Sequence, residues 1–267
     1  MSRTSTFVAE LHCHTEFSMD GVITFDGMVR TAKARGIDVI CITDHDTVKG
    51  AFGFQRRARE CGSDLEFLIG EERTLDDGSH LIGLFLCEGI HSTNRADVIA
   101  EIHAQGGLAL MPHPFRRKDG LLRNADQRDG TEATHGIDAF ELFNAKGSFA
   151  DNERARSLLD LPWGVFGGSD AHYESDIGQC VCELPRRGTA EESVRAMLKR
   201  EVPFRIRGIR KAAGSDERRY APMYYKIRPY MRIPKPLVPA AKQLYRFYRN
   251  NFLESAPPML EEIYAHE

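Results

Sequence analysis

The chain has 267 residues, with 36 Lys+Arg against 39 Asp+Glu and 42% hydrophobic residues, a composition suited to one large globular domain or two small ones. No apolar run approaches the roughly 18 residues needed to cross a bilayer, and residues 1–6 contain no apolar signal core. No transmembrane segment is therefore expected, and the chain reads as soluble and cytoplasmic. Its six cysteines, at positions 13, 41, 61, 87, 180 and 182, form no zinc-ribbon pair, so reduced thiols are the default. Between Arg205 and Arg249 there are 13 Lys/Arg and 2 acids, which leaves 23 basic and 37 acidic residues elsewhere: an acidic body with a basic tail.

In chain order, β-branched or apolar runs at 7–11, 37–43, 65–69, 81–86, 108–111, 137–143 and 163–166 predict strands. Helical periodicity lies between several of them, at 25–35, 51–61, 95–105 and 152–159. Gly36 and the pair Gly106-Gly107 stand where helices should stop. Thr189 with Glu192 three residues on is a capping box that predicts another helix start. Strand and helix alternating over about 200 residues imply a mostly parallel sheet with helices outside. No phosphate-cradling glycine motif follows a strand, which favours a barrel over a nucleotide-binding open sheet.

From Ser215 onward prolines, tyrosines and basic residues intermingle, so the expected division is a β/α body at 1–210 and a C-terminal extension at 211–267. Leu244, Tyr248 and Phe252 fall at four-residue spacing within 239–253, as in a short amphipathic helix. Such a tail would bind anions or a membrane surface, or else pack on the body or on a second copy.

Chemistry concentrates where strands end, the face of a β/α barrel that carries active sites. His12 and His14 close the first strand and point the same way, with Cys13 opposite. Asp20 follows in a Ser-Met-Asp-Gly turn that can bring a carboxylate back toward them. Thr43-Asp44-His45-Asp46 ends the second strand and Gly70-Glu71-Glu72 the third. His80 opens the next, His113 closes another in Met111-Pro112-His113-Pro114, and Ser169-Asp170-Ala171-His172 follows Gly167-Gly168. A core does not gather so many ionisable groups unless cations neutralise them, because unpaired buried charge costs several kcal/mol. His91, His103, His135 and His266 lie outside these motifs and carry no such expectation.

Taken in order, HCHTEFSMDG, TDHD, a Gly-x-Glu step, an HxxG strand, PHPF and GSDAH resemble the polymerase and histidinol phosphatase (PHP) family over roughly residues 7–185. The resemblance implies a distorted seven-stranded (β/α)7 barrel with three divalent cations, here followed by the short C-terminal appendage. It also implies the ligand set. His12, His14, Glu72 and Asp170 would hold one metal, Glu72 would bridge to a second on His80 and His113, and Asp20, His45 and His172 would hold the third. Nitrogen and oxygen donors without thiolate suit zinc, manganese or iron.

Such a centre generates hydroxide at neutral pH and neutralises phosphate oxygens under attack, so phosphoester hydrolysis is the expected chemistry. Glu72 is expected to be catalytic as the bridge. Arg116 matches the family's HPxR step and, with Arg117, could clamp a phosphate, while Asn144 at the end of a strand could line the pocket. Asp44 is a candidate for handling a proton, and with Asp46 could orient His45 or simply satisfy loop amides. Arg73 and Lys146 are weaker candidates for phosphate contact. Glu141, by strand alternation, should face away from Asn144 unless the strand has ended by Asn144. The family it resembles includes small-molecule phosphatases, exonucleases and protein-phosphotyrosine phosphatases; the expectation here is a phosphorylated small-molecule substrate, nucleotide-like or histidinol-phosphate-like. The alternatives are a nuclease acting on nucleic acid ends, with the basic tail on phosphates, and a metal-stabilised regulatory module whose tail makes peripheral membrane or partner contacts.

Overall fold

The computed structural model describes residues 6–124, 134–209 and 260–267. In chain order the elements are β1 (Thr6–Cys13), α1 (Phe25–Arg35), β2 (Val39–Ile42), α2 (Lys49–Cys61), β3 (Glu66–Thr74), β4 (His80–Leu84), α3 (Arg95–Ala104), β5 (Leu108–Met111), β6 (Ala139–Asn144), α4 (Phe149–Ala155), β7 (Gly164–Gly168), β8 (Cys180–Pro185), α5 (Ala190–Leu198), β9 (Phe204–Gly208) and β10 (Glu261–His266). A short 3-10 turn, Arg156–Leu158, follows α4.

The helix ends follow local chemistry. Thr24 caps α1 by accepting from the Gly27 amide, and Gly36 ends it in the left-handed region. Phe25, Met28 and Ala32, spaced three and four apart, form the buried face of α1. The capping box of Thr189 and Glu192 opens α5, a motif that contributes about 1 kcal/mol.

The ten strands of the described residues form one sheet, in the order β10-β9-β8-β1-β2-β3-β4-β5-β6-β7. Pairs β1–β2, β2–β3, β5–β6 and β6–β7 are parallel. The sheet curls on itself: beyond β7, Ala171 bridges to Cys13 at the end of β1, with the His14 amide 2.8 Å from the Ala171 carbonyl. The strand ends of opposite halves thus face one another. Apolar side chains such as Leu11, Ile40, Ile42, Leu81, Ile82 and Phe166 fill the interior, each fully buried.

The ten strands correct the expected seven. The seven predicted runs appear as β1 to β7, but β8 and β9 add an antiparallel pair beside β1, and β10 joins β9. β4 is antiparallel to both neighbours, because β3 and β4 are connected by a tight turn through Gly78 that leaves no room for a crossover helix. The predicted helix at 152–159 is divided into α4 and the 3-10 turn. The predicted helix at 239–253 lies outside the described residues. No helix among the described residues is long and apolar enough to cross a membrane.

Candidate metal centre

Backbone register builds the centre. The amide of Glu72 donates to the Asp44 carbonyl and that of Asp46 to the Glu72 carbonyl, so the loop after β2 runs beside β3 and brings His45 against Glu72. His12 and His14 end β1, and Asp170 and His172 arrive with the segment that bridges to Cys13. Gly168 makes this approach possible, since a Cβ there would lie 2.5 Å from that of His12 and 2.4 Å from Glu141 Oε1. His113 and Asp170 adopt left-handed backbones, φ 30° and 51°, conformations that cost energy for residues other than glycine and recur at functional sites.

Glu72 lies at the middle, fully buried. Its Oε1 is 3.0 Å from His80 Nδ1 and 2.9 Å from His113 Nε2. Its Oε2 is 3.3 Å from His12 Nε2, 3.2 Å from His14 Nε2 and 3.5 Å from His45 Nδ1. Asp170 Oδ1 faces His12, His14 and His172 at 3.6, 3.3 and 3.5 Å. Asp20 Oδ2 stands 3.6 Å from His45 Nε2 and 3.3 Å from His172 Nε2. All nine sequence-predicted ligands therefore meet in one place. One donor atom from each of His14, Asp20, His45 and His172 lies within 4.8 Å of the others, as do those of His12, His14, Glu72 and Asp170, and of His45, Glu72 and His80.

Buried imidazoles and carboxylates set one another's charge at this centre. Burial would push Glu72 and Asp170 upward, yet the imidazoles around them, with Arg116 beside Asp170, hold both well below the usual carboxylate range. Burial likewise opposes charge on His14, but the Asp170 and Glu72 carboxylates raise it to about 9. His45 is driven down to about 4, chiefly by burial. Both ring nitrogens of His14, and Nδ1 of His45 and of His113, are buried without a well-directed hydrogen bond, which native structures rarely leave unexplained. Divalent cations fit these residues: the donors are imidazole nitrogens and carboxylate oxygens, and the unpaired nitrogens sit among them.

Other sequence-predicted residues take varied places. Asp44 is buried with its oxygens on Thr15, 2.5 Å from the amide and 2.7 Å from the hydroxyl. Asp46 accepts from the amide and hydroxyl of Thr74 and from Arg73. Glu71 turns away from Glu72 to accept from the Ile90 amide. Arg73 donates to the carbonyls of Ser92 and His91, and Lys146 to Asp176. Arg116 reaches into the centre, whereas Arg117 is exposed. Asn144 is buried, its amide nitrogen 2.9 Å from Glu141 and 3.3 Å from Asp170.

Glu141 corrects the strand-alternation argument. A register irregularity between Glu141 and Phe143 in the β6–β7 ladder puts Glu141 on the same side as Asn144. There its Oε1 is 3.1 Å from His12 Nδ1 and its Oε2 accepts from the His113 amide at 2.7 Å. Two further carboxylates were not anticipated. Glu10, fully buried two residues before His12, accepts from the amides of Ser169 and Gly178. Asp119 joins His80 and His113 in a fourth donor set. Its only signal in the sequence is a Lys-Asp-Gly turn six residues beyond His113.

The PHP domain profile matches residues 10–129 and the PHP-associated profile residues 150–203. An uncharacterised protein from Methanocaldococcus jannaschii is 30% identical over 169 residues, 59% of this chain and 95% of its own length. The chain belongs to the PHP domain family. Two solved structures share the fold at lower identity. A two-domain protein from Bacteroides vulgatus, described as containing a PHP-like metal-dependent phosphoesterase, aligns with TM-score 0.60 and 18% identity, covering 76% of this chain and 64% of its own. A lesion-specific endonuclease from Pyrococcus furiosus aligns with TM-score 0.58 and 13% identity, covering 73% and 56%. The PHP chain thus spans less than two thirds of either neighbour. Its two matched segments together contain all nine converging residues.

Proposed function

We propose that this PHP protein is a metal-dependent phosphoesterase whose substrate is a small phosphomonoester, nucleotide-like or histidinol-phosphate-like. The observation that supports this most is the division of Glu72 between two sets of imidazoles, one on each carboxylate oxygen. Its ligand set would be His12, His14, Asp20, His45, Glu72, His80, His113, Asp170 and His172, holding three divalent cations, zinc, manganese or iron. When bound, such cations supply a nucleophilic oxygen at neutral pH and neutralise charge on the phosphate. The chain's own residues fix the geometry. Glu72 couples the two sets, Glu141 and Asn144 hold His12 and Asp170 in place, and Arg116 sets a permanent cation in the wall.

Asp44, committed on both oxygens to Thr15, supports the loop that carries Asp20; handling a proton would require it to leave Thr15. All these groups lie between residues 12 and 172, which supports a catalytic body within 1–210; the expected appendage at 211–267 is not wholly separate from it, since β10 joins the sheet beside β9. A nuclease is the second reading, favoured by the fold shared with the P. furiosus endonuclease.

The test is a substrate screen with metal content determined in parallel. Protein loaded with manganese, zinc or iron is expected to release phosphate from p-nitrophenyl phosphate or a nucleotide, and to lose that activity to a chelator. Cleavage of oligonucleotides alone would replace the first reading with the second. Inertness toward every phosphoester with metal bound would leave a metal-stabilised binding module.

A further inference from the structure

Arg116 is the one basic side chain among the described residues that touches the centre, and it is held there on more than one side. Its Nε donates to Asp119 Oδ1 at 2.5 Å and its Nη1 to Asp170 Oδ2 at 2.5 Å. Nη2 stands 2.8 Å from His113 Nε2, the nitrogen that also faces Glu72 Oε1. We propose that Asp119 is the positioning residue that fixes Arg116 as the phosphate-recognising cation of this site, an assignment that rests on the phosphoesterase reading and deepens it.

The local fold argues that this arrangement is built in. Arg116 donates its amide to the His113 carbonyl, and the Gly120 amide donates back to Arg116 at 2.7 Å. The turn closes so tightly that a Cβ on Gly120 would lie 2.5 Å from the Pro114 carbonyl oxygen and 2.6 Å from the Arg116 nitrogen. From β4, the His80 amide donates to the Asp119 carbonyl, so the backbone of Asp119 is tied to a residue of the centre itself. The Asp119 side chain is 5% exposed.

Two chemical points give Asp119 this role over that of a ligand. Asp119 Oδ1 approaches His113 from the Nδ1 edge, at 3.6 Å, whereas Glu72 faces Nε2. Asp119 therefore lies nearer the Nδ1 edge of His113, on the side of the ring away from the Nε2 that faces Glu72. A ring nitrogen also offers a single lone pair. Were His113 Nε2 to give it to a cation, it would no longer serve Nη2 as an acceptor, and the Nη2 hydrogens would be free for an anionic oxygen. With Nε and Nη1 held by carboxylates, the plane of the guanidinium is set before the anion arrives, which is the condition for forked recognition of phosphate.

The experiment uses the full chain loaded with manganese and compares Asp119→Asn, Asp119→Glu, Arg116→Lys and the Asp119→Asn/Arg116→Lys double variant. Inorganic phosphate binding is measured by calorimetry, KM and kcat with p-nitrophenyl phosphate, and metal per chain by elemental analysis. Asp119→Asn and Arg116→Lys are each expected to weaken phosphate binding and raise KM by about tenfold or more, as for loss of a charge-assisted hydrogen bond. The fall in kcat should be smaller, metal content should match the wild type, and Asp119→Glu should recover part of the loss. Because the two residues act as a unit, the double variant should be little worse than Arg116→Lys alone. Additive losses, unchanged phosphate affinity, or one metal equivalent missing in Asp119→Asn would overturn the assignment, the last making Asp119 a ligand. If the wild type binds phosphate in an Asp119-dependent way but hydrolyses no phosphomonoester, the assignment stands and the phosphoesterase reading fails.

Discussion

His12 is gripped between two glutamates: its Nδ1 lies 3.1 Å from Glu141 Oε1 while its Nε2 lies 3.3 Å from Glu72 Oε2. The far carboxylate fixes the tautomer, leaving Nε2 as the nitrogen with a free lone pair toward the centre. Glu141→Gln is expected to weaken metal binding by about 10- to 100-fold. Competition against a chromophoric chelator measures this, and wild-type affinity would mean that Glu141 only fills space.

Glu72 faces the two imidazole sets with different oxygens, so Glu72→Gln should loosen both sets together. Elemental analysis after dialysis should find fewer metals per chain than in the wild type, by more than one equivalent. Glu71→Gln, altered on the side turned toward Ile90, should keep its metals. The reverse pattern would transfer the bridge to Glu71.

Protons and cations compete at this centre. Burial disfavours charge on His12 and His14, but Asp170, Glu141 and Glu72 hold His12 well above its ordinary value, and Asp170 and Glu72 bring His14 to about 9. A folded-state value above the unfolded one means that the bound proton stabilises the metal-free fold below the ordinary imidazole range. That contribution is lost as pH rises through about 9. The same proton blocks the nitrogen a cation needs, so metal affinity should climb with pH over this interval, each binding event releasing protons. Calorimetric titrations in two buffers of different ionisation enthalpy report the release. Identical heats after correction for the ion's own hydrolysis would contradict the raised values.

Asp44→Ala removes the acceptor for the Thr15 amide and hydroxyl, both buried. The expected cost is about 1–3 kcal/mol of folding stability, from donors left without partners, measured by urea denaturation. If Asp44→Asn instead keeps its stability and loses one limb of the pH–rate profile, Asp44 is the proton donor that its position beside His45 suggested.

What was readable in the sequence, and what was not, divides along physical lines. β1 to β7 and α1 to α3 declare themselves because burial on one or both faces leaves an apolar period, as in Val39–Ile42, where every residue is buried. The nine converging residues were legible because they lie at strand ends, or in the turn just beyond one as Asp20 does, in short motifs that together resemble the PHP pattern. β9 was hidden by Arg205 and Arg207, whose alternation with Phe204, Ile206 and Gly208 merged into the basic tail. Glu141 was misdirected by a register irregularity, which no side-chain pattern announces. Glu10 acts through a contact distant in sequence, on Ser169, so its local sequence carries little trace of the role; Asp119 is only three residues from Arg116, but its link to the centre depends on Arg116 reaching Asp170, which no local pattern announces.

The pairing of β10 with β9 has a consequence for the margin of the sheet. Glu261 stands opposite Gly208, so a strand from the far end of the sequence covers the outer rungs of β9. Removing residues 260–267 would uncover those backbone groups and leave β9 as an unpaired edge open to association with another chain.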